Sequence, residues 1–125
     1  MKKEVISTTE APGAIGPYSQ ATKIGDMIYT SGQLPIDPAT GKISPDVEKQ
    51  TKQVFKNAEA ILKAAGSDLS KVIKTSVFLK DLSDFATMNK VYGTFFTEDF
   101  PARSTVGGTD LALGALVEIE FIAHI

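Results

Sequence analysis

The closing run Ala115, Leu116, Val117, Glu118, Ile119, Glu120, Phe121, Ile122, Ala123 constrains the fold of this chain more than any other stretch. Its strict period of two makes it a strand, with Leu116, Glu118, Glu120 and Ile122 on one face and Val117, Ile119 and Phe121 on the other. Apolar residues on both faces require a sheet covered on both sides, which leaves at least one of the two carboxylates semi-buried. A desolvated carboxylate has a raised pKa unless a cation or donors compensate it. Just upstream, Phe100, Pro101, Ala102, Arg103, Ser104 places one guanidinium behind a rigid Pro-Ala lead-in. Arg103 is therefore expected to act as a counter-charge or as a receptor for a substrate carboxylate.

The rest of the chain reads as alternating strands and helices within one domain, since 125 residues suffice for one core and not for two. Val5 and Ile6 form a short strand, and residues 20–24 and 27–31 form two more, joined by Gly25 and Asp26. A loop at 35–41 leads to Ser44, the expected cap of a first helix with Pro45 at its first position. Val47, Thr51, Val54, Phe55, Ala58, Ile61, Leu62 and Ala65 supply its apolar stripe, and Gly66 stops it. Residues 72–80 form a long strand, after which Ser83 is expected to cap a second helix carrying Phe85, Met88, Val91, Tyr92, Phe95 and Phe96 as core. Strands at 103–106 and 115–122 complete the order β-β-β-α-β-α-β-β. The expectation is an α+β sandwich, a mixed sheet with both helices on one face. Its other face calls for cover from a second copy of the chain.

Several function classes are disfavoured by composition. No cysteine is present, so disulfides, thiolate nucleophiles and Cys-ligated metals are absent. A net charge of −2 lacks the basic footprint of a nucleic-acid binder, and the lysines of the first helix alternate with acids, as in Glu48 with Lys52 and Glu59 with Lys63. No apolar run approaches the roughly 20 residues of a membrane span. The N-terminus lacks a secretory h-region, which points to a cytoplasmic protein, a removed organelle presequence being the alternative. The single histidine, His124, is expected at a frayed end, which disfavours a Ser-His-Asp triad. Glu118 and His124 share a strand face, but at about 3.3 Å per residue they lie roughly 20 Å apart, so no metal site is expected. The glycines near 16 and 32 lack nucleotide-binding spacing, and no cofactor is expected. Asn89 lies between Phe85 and Tyr92 on the expected buried stripe of the second helix, where its amide needs partners, structural or ligand.

Taken in order, Ile15-Gly-Pro-Tyr-Ser-Gln, Tyr29-Thr-Ser-Gly-Gln, Asp37-Pro-Ala-Thr-Gly, Val77-Phe-Leu-Lys-Asp-Leu, the Asn89 to Phe96 stretch, Phe100-Pro-Ala-Arg-Ser and Val117-Glu-Ile-Glu resemble the RidA (YjgF/L-PSP) family over essentially the whole chain. The resemblance implies a chorismate-mutase-like α+β fold, a homotrimer with clefts between subunits, and cofactor-free hydrolysis of reactive 2-imino acids to 2-keto acids and ammonia. It implies that Arg103 binds the substrate carboxylate and that Glu118 positions or activates water. Tyr18, Ser31, Gly32, Asn89 and the Thr105 backbone would line the pocket. Two other readings come with it, an endoribonuclease or translation inhibitor and a non-catalytic trimer that binds small carboxylates. The chain departs from the pattern at Gly107 and Gly108, where many relatives keep β-branched residues, so a weakened or bulged strand is expected there.

Overall fold

The computed structural model describes residues 1–125. Six strands, β1 (Glu4–Ile6), β2 (Ala21–Ile24), β3 (Met27–Thr30), β4 (Val72–Leu79), β5 (Ala102–Val106) and β6 (Val117–His124), form one sheet in the order β1-β2-β3-β6-β4-β5. All neighbours are antiparallel except β4 and β5. The closing strand therefore lies in the interior of the sheet, as its doubly apolar pattern requires. Gly25 turns the β2–β3 hairpin at φ 56°.

Two helices, α1 (Val47–Ala64) and α2 (Phe85–Phe95), cover one face. Val54, Phe55, Ala58, Ile61 and Leu62 of α1 are fully buried against Val77, Leu79, Val117, Ile119 and Phe121 of the sheet. Phe55 stands at the centre, in edge or stacked contact with Tyr92, Phe95, Phe96 and Phe121. Truncating it to alanine would cost about 3–5 kcal/mol. The helix stop at Gly66 is a Schellman motif: Ser67 N–H donates to Leu62 O and Gly66 N–H to Lys63 O, with Gly66 at φ 86°.

Both helix starts differ from the sequence expectation. Asp46 caps α1, its carboxylate accepting from Lys49 N–H, and Pro45 lies outside the helix. Ser44 instead accepts from Asp46 N–H, one step earlier in the same approach. Ser83 does not cap α2. Asp81 accepts from Ser83 N–H in a 3-10 turn at Leu82–Asp84 that runs directly into the helix. At α1 the aspartate takes the cap, a carboxylate being the better acceptor beside a helix N-terminus, whereas α2 begins at Asp84 with no side-chain cap and Asp81 caps only the turn before it. On the exposed face of α1, Glu59 and Lys63 close an ion pair at 3.2 Å.

At the C-terminal end His124 is paired with Met27 as the last residue of β6 rather than frayed. The glycine pair does not bulge β5; the strand ends at Val106, immediately before it. A Cβ on Gly107 would collide with Leu82 Cγ, and Gly108 takes φ 71°, so the glycines let the chain pass beneath Leu82 and turn away. No helix is long and apolar enough to cross a membrane.

Candidate active site

Register separates the two charged residues singled out above. Arg103 of β5 pairs with Thr75 of β4, and Glu118 of β6 pairs with Phe78 of β4. Positions 75 and 78 differ in parity, so the two side chains leave opposite faces of the sheet. Arg103 lies on the helix-covered face and Glu118 on the open one. Arg103 is thus not the counter-charge of Glu118, and the chain's only ion pair is Glu59–Lys63.

On the covered face, α2 provides a shelf for Arg103. Its Cζ lies 4.8 Å from the Tyr92 ring centroid and 5.6 Å from that of Phe85, and its Nη1 donates to Asn89 Oδ1 at 2.7 Å. Phe85, Asn89 and Tyr92 sit at i, i+4 and i+7, one stripe of the helix. Asn89 is exposed rather than buried; the buried residues of α2 are Met88, Val91 and Tyr92. The shift arises because α2 meets the sheet near its edge strand, leaving the Asn89 side open beside the half-buried Arg103. Tyr92 in turn shares a buried 2.8 Å hydrogen bond with Thr75 Oγ1. Its phenol pKa is pushed up by burial, opposed by the Thr75 hydrogen bond and the Arg103 charge. Thr105, two residues beyond Arg103 on the same face, has a buried hydroxyl without a hydrogen-bond partner.

The open-face group gathers around Glu118. A Cβ on Gly32 would collide with Glu118 Oε2, so glycine at 32 makes the space that the carboxylate occupies. Burial, and secondarily the neighbouring Glu120 charge, raise the Glu118 pKa above its ordinary 4.5. Glu120 itself is exposed. Gly32 is fixed from both sides: Gln33 exchanges backbone hydrogen bonds with Ile119, and Ser31 N–H donates to Gln20 O. Ser31 Oγ donates to Ser19 O, tying the loop that carries Tyr18 to the end of β3. Tyr18 and Gly32 line one narrow cleft, Tyr18 and Ser31 an adjoining one. The Tyr18 hydroxyl accepts from Ile15 N–H at 3.3 Å.

Of the residues expected from sequence, the structure therefore brings together Tyr18, Ser31, Gly32 and Glu118 in one group, and Asn89, Arg103 and Thr105 in another. The largest cavity, about 760 Å³ between β1 and the loops at 7–20 and 36–41, touches Tyr18 but neither Arg103 nor Glu118. No three His, Asp or Glu side chains converge as metal ligands.

Sequence reasoning missed the buried amides that hold these loops. Gln20 accepts from Thr8 N–H and donates to Thr8, Ala11 and Pro12 carbonyls. Gln50 bridges Ser44 O and Leu116 N–H, and Asn57 donates to Leu34 O and Ile36 O. Gln50 and Asn57 lie seven apart on α1, beside its apolar stripe, the one signal that could have marked them. Tyr92 and Phe85 read as core aromatics; their second role at Arg103 carried no signal in the helix period.

Comparison with known proteins accords with this geometry. A 95% span of the chain is 55% identical to the RutC family protein y4sK of Sinorhizobium fredii, covering 95% of that protein. The 2-iminobutanoate/2-iminopropanoate deaminase of Salmonella typhimurium is 49% identical, with 96% of each chain covered. The crystal structure of Escherichia coli TdcF with bound serine superposes at a TM-score of 0.94, with 45% identity over 98% of each chain. A family model described as Endoribonuclease L-PSP matches residues 8–125. With those motifs, this fold and these relatives, the chain belongs to the RidA/YjgF family, the family described as Endoribonuclease L-PSP.

Proposed function

We propose that this chain, a single domain over residues 1–125, is a cofactor-free 2-iminobutanoate/2-iminopropanoate deaminase that works as a homotrimer with its sites between subunits. The observation that carries the proposal is the placement of two uncompensated charges, Arg103 and Glu118, on opposite faces of one sheet. One copy cannot bring both to one small substrate. A second copy, laying its open face beside the edge that bears Arg103, can. The open face offers the apolar residues such a contact needs, with Val5, Tyr29 and Val106 exposed on it.

In this site the Arg103 fork, steadied by Asn89, binds the carboxylate of a 2-imino acid and thereby fixes its C2 carbon. Tyr18, Ser31, Gly32 and the Thr105 backbone line the pocket. The Glu118 carboxylate of the neighbouring copy accepts a proton from water as the water oxygen bonds to C2 of the protonated imine and the C=N electron pair moves onto nitrogen. The carbinolamine then forms. Glu118 returns the proton to nitrogen, ammonia leaves with the C–N electrons, and loss of the hydroxyl proton gives the 2-keto acid. The raised pKa of Glu118 makes it a stronger proton acceptor than an ordinary carboxylate, as a group that takes and returns a proton needs. No step calls on a metal or cofactor. A cytoplasmic location fits a scavenger of imines released by other enzymes.

The test is ammonia and keto-acid release from 2-iminopropanoate generated in situ by an amino-acid oxidase. Wild type should accelerate release over the spontaneous rate and Arg103→Ala should not. Equal release with and without wild-type protein would overturn the deaminase reading and leave a carboxylate-binding trimer. RNA cleavage that survives Arg103→Ala and falls steeply with salt would support a ribonuclease instead.

A further inference from the structure

An arginine that must receive a substrate in one orientation faces an entropic obstacle, because its long side chain otherwise samples many rotamers. Asn89 alone cannot remove it, since a single hydrogen bond donated to an exposed amide oxygen leaves the guanidinium free to swing. Tyr92 can. It is 5% exposed, its ring is held by Phe55 at 5.7 Å and Phe96 at 5.0 Å, and its hydroxyl is bonded to Thr75. Thr75 is also the residue that Arg103 faces across the β4–β5 ladder. Backbone pairing and the Thr75–Tyr92 hydrogen bond add to the packing of Phe55 and Phe96 in placing the ring beside the strand that carries the arginine. Phe85 adds a second aromatic neighbour on the same stripe.

We propose that Tyr92 is a positioning residue for carboxylate recognition: its ring, packed between Phe55 and Phe96, holds the Arg103 guanidinium in its receiving orientation before substrate arrives. The inference rests on the reading of Arg103 as the carboxylate receptor. It assigns Tyr92 no contact with substrate and no part in proton transfer. The relevant property is the π face, so phenylalanine should substitute for tyrosine and an aliphatic side chain of similar length should not.

The test compares Tyr92→Phe and Tyr92→Leu in the full-length assembly. Tyr92→Leu should raise KM for the imino acid, and the Kd for pyruvate as a plain carboxylate probe, about ten-fold, with kcat changed less than about two-fold. Tyr92→Phe should restore both constants to within about two-fold of wild type. Equal KM values for wild type and Tyr92→Leu, or Phe and Leu variants equally impaired, would overturn the proposal. The Arg103 Nε–H resonance, followed by NMR relaxation in the ligand-free protein, reads the same coupling without turnover. It should be ordered in wild type and Tyr92→Phe and mobile in Tyr92→Leu. Should Tyr92→Leu fail to fold, Tyr92→Met takes its place, and an Arg103 order parameter equal to that of wild type would overturn the proposal. Absence of imine hydrolysis by wild type would overturn the deaminase reading alone, because the NMR and pyruvate readouts stand apart from it.

Discussion

The two charged groups of this molecule are held in opposite ways. Arg103 rests on a shelf, with two aromatic rings and one amide acceptor supplied by a neighbouring helix of the same chain. Glu118 occupies a space, the one left by the missing side chain of Gly32, and burial raises its pKa where a donor would have lowered it. The arginine half is organised by contacts within the subunit. The glutamate half is organised by exclusion, and its carboxylate remains free for a water and a substrate. A receptor for a stable carboxylate benefits from being pre-set, whereas a proton acceptor benefits from staying unsatisfied until reaction.

That contrast can be broken at several points, the largest at Glu118 itself. Glu118→Gln keeps shape and removes the proton acceptor, so kcat should fall by about 10²–10⁴ while KM and the Kd for pyruvate change little. Loss of binding in proportion to turnover would contradict the separate roles. Gly32→Ala should come next. The added methyl meets the mobile end of Glu118, so the fold should tolerate it with little change in melting temperature, while the displaced carboxylate costs about 10² in kcat. A large drop in melting temperature with normal turnover would show that Gly32 serves the backbone and not the carboxylate.

Smaller effects follow from pH. With Glu118 in the proposed role of a deprotonated acceptor and its pKa raised, kcat/KM should increase with pH through a midpoint above 4.5 and then level off, and Glu118→Gln should flatten that rise. For stability the sign is reversed. A raised carboxyl favours the folded state in its protonated form, so its contribution is present below the unfolded pKa and lost as pH rises through the folded one. Glu118→Gln should therefore melt higher than wild type at neutral pH and match it below about pH 4, a gain that solvent screening of the half-exposed carboxyl limits to about 2 °C. A Gln variant less stable than wild type at neutral pH would mean that the carboxylate has a compensating partner.

Much of the architecture was legible in the sequence because it depends on periodicity. The alternation at 115–123 identified a strand apolar on both faces, the stripe from Val47 to Ala65 identified α1, and Gly66 marked its end. Helix starts were not, because Ser44 and Asp46, like Ser83 and its aspartate neighbours, compete for one cap within two or three residues. The site was legible as a set of residues and not as an arrangement. Whether Arg103 and Glu118 share a face depends on how β4 registers against both β5 and β6, and no pattern within a single strand encodes that. The contact of Tyr92 with Arg103 was hidden for a related reason. A buried aromatic at helical spacing looks the same whether its outer face meets a leucine or a guanidinium.

The central claim is that the arginine of one copy works with the glutamate of another, and complementation between two dead variants tests it most directly. Arg103→Ala and Glu118→Gln should each be inactive alone. When the two are co-expressed and mixed oligomers are verified by native mass spectrometry, random assembly leaves about one quarter of the clefts with both residues intact, so about a quarter of wild-type imine hydrolysis should return. Mixed oligomers that form and remain inactive would contradict the shared site.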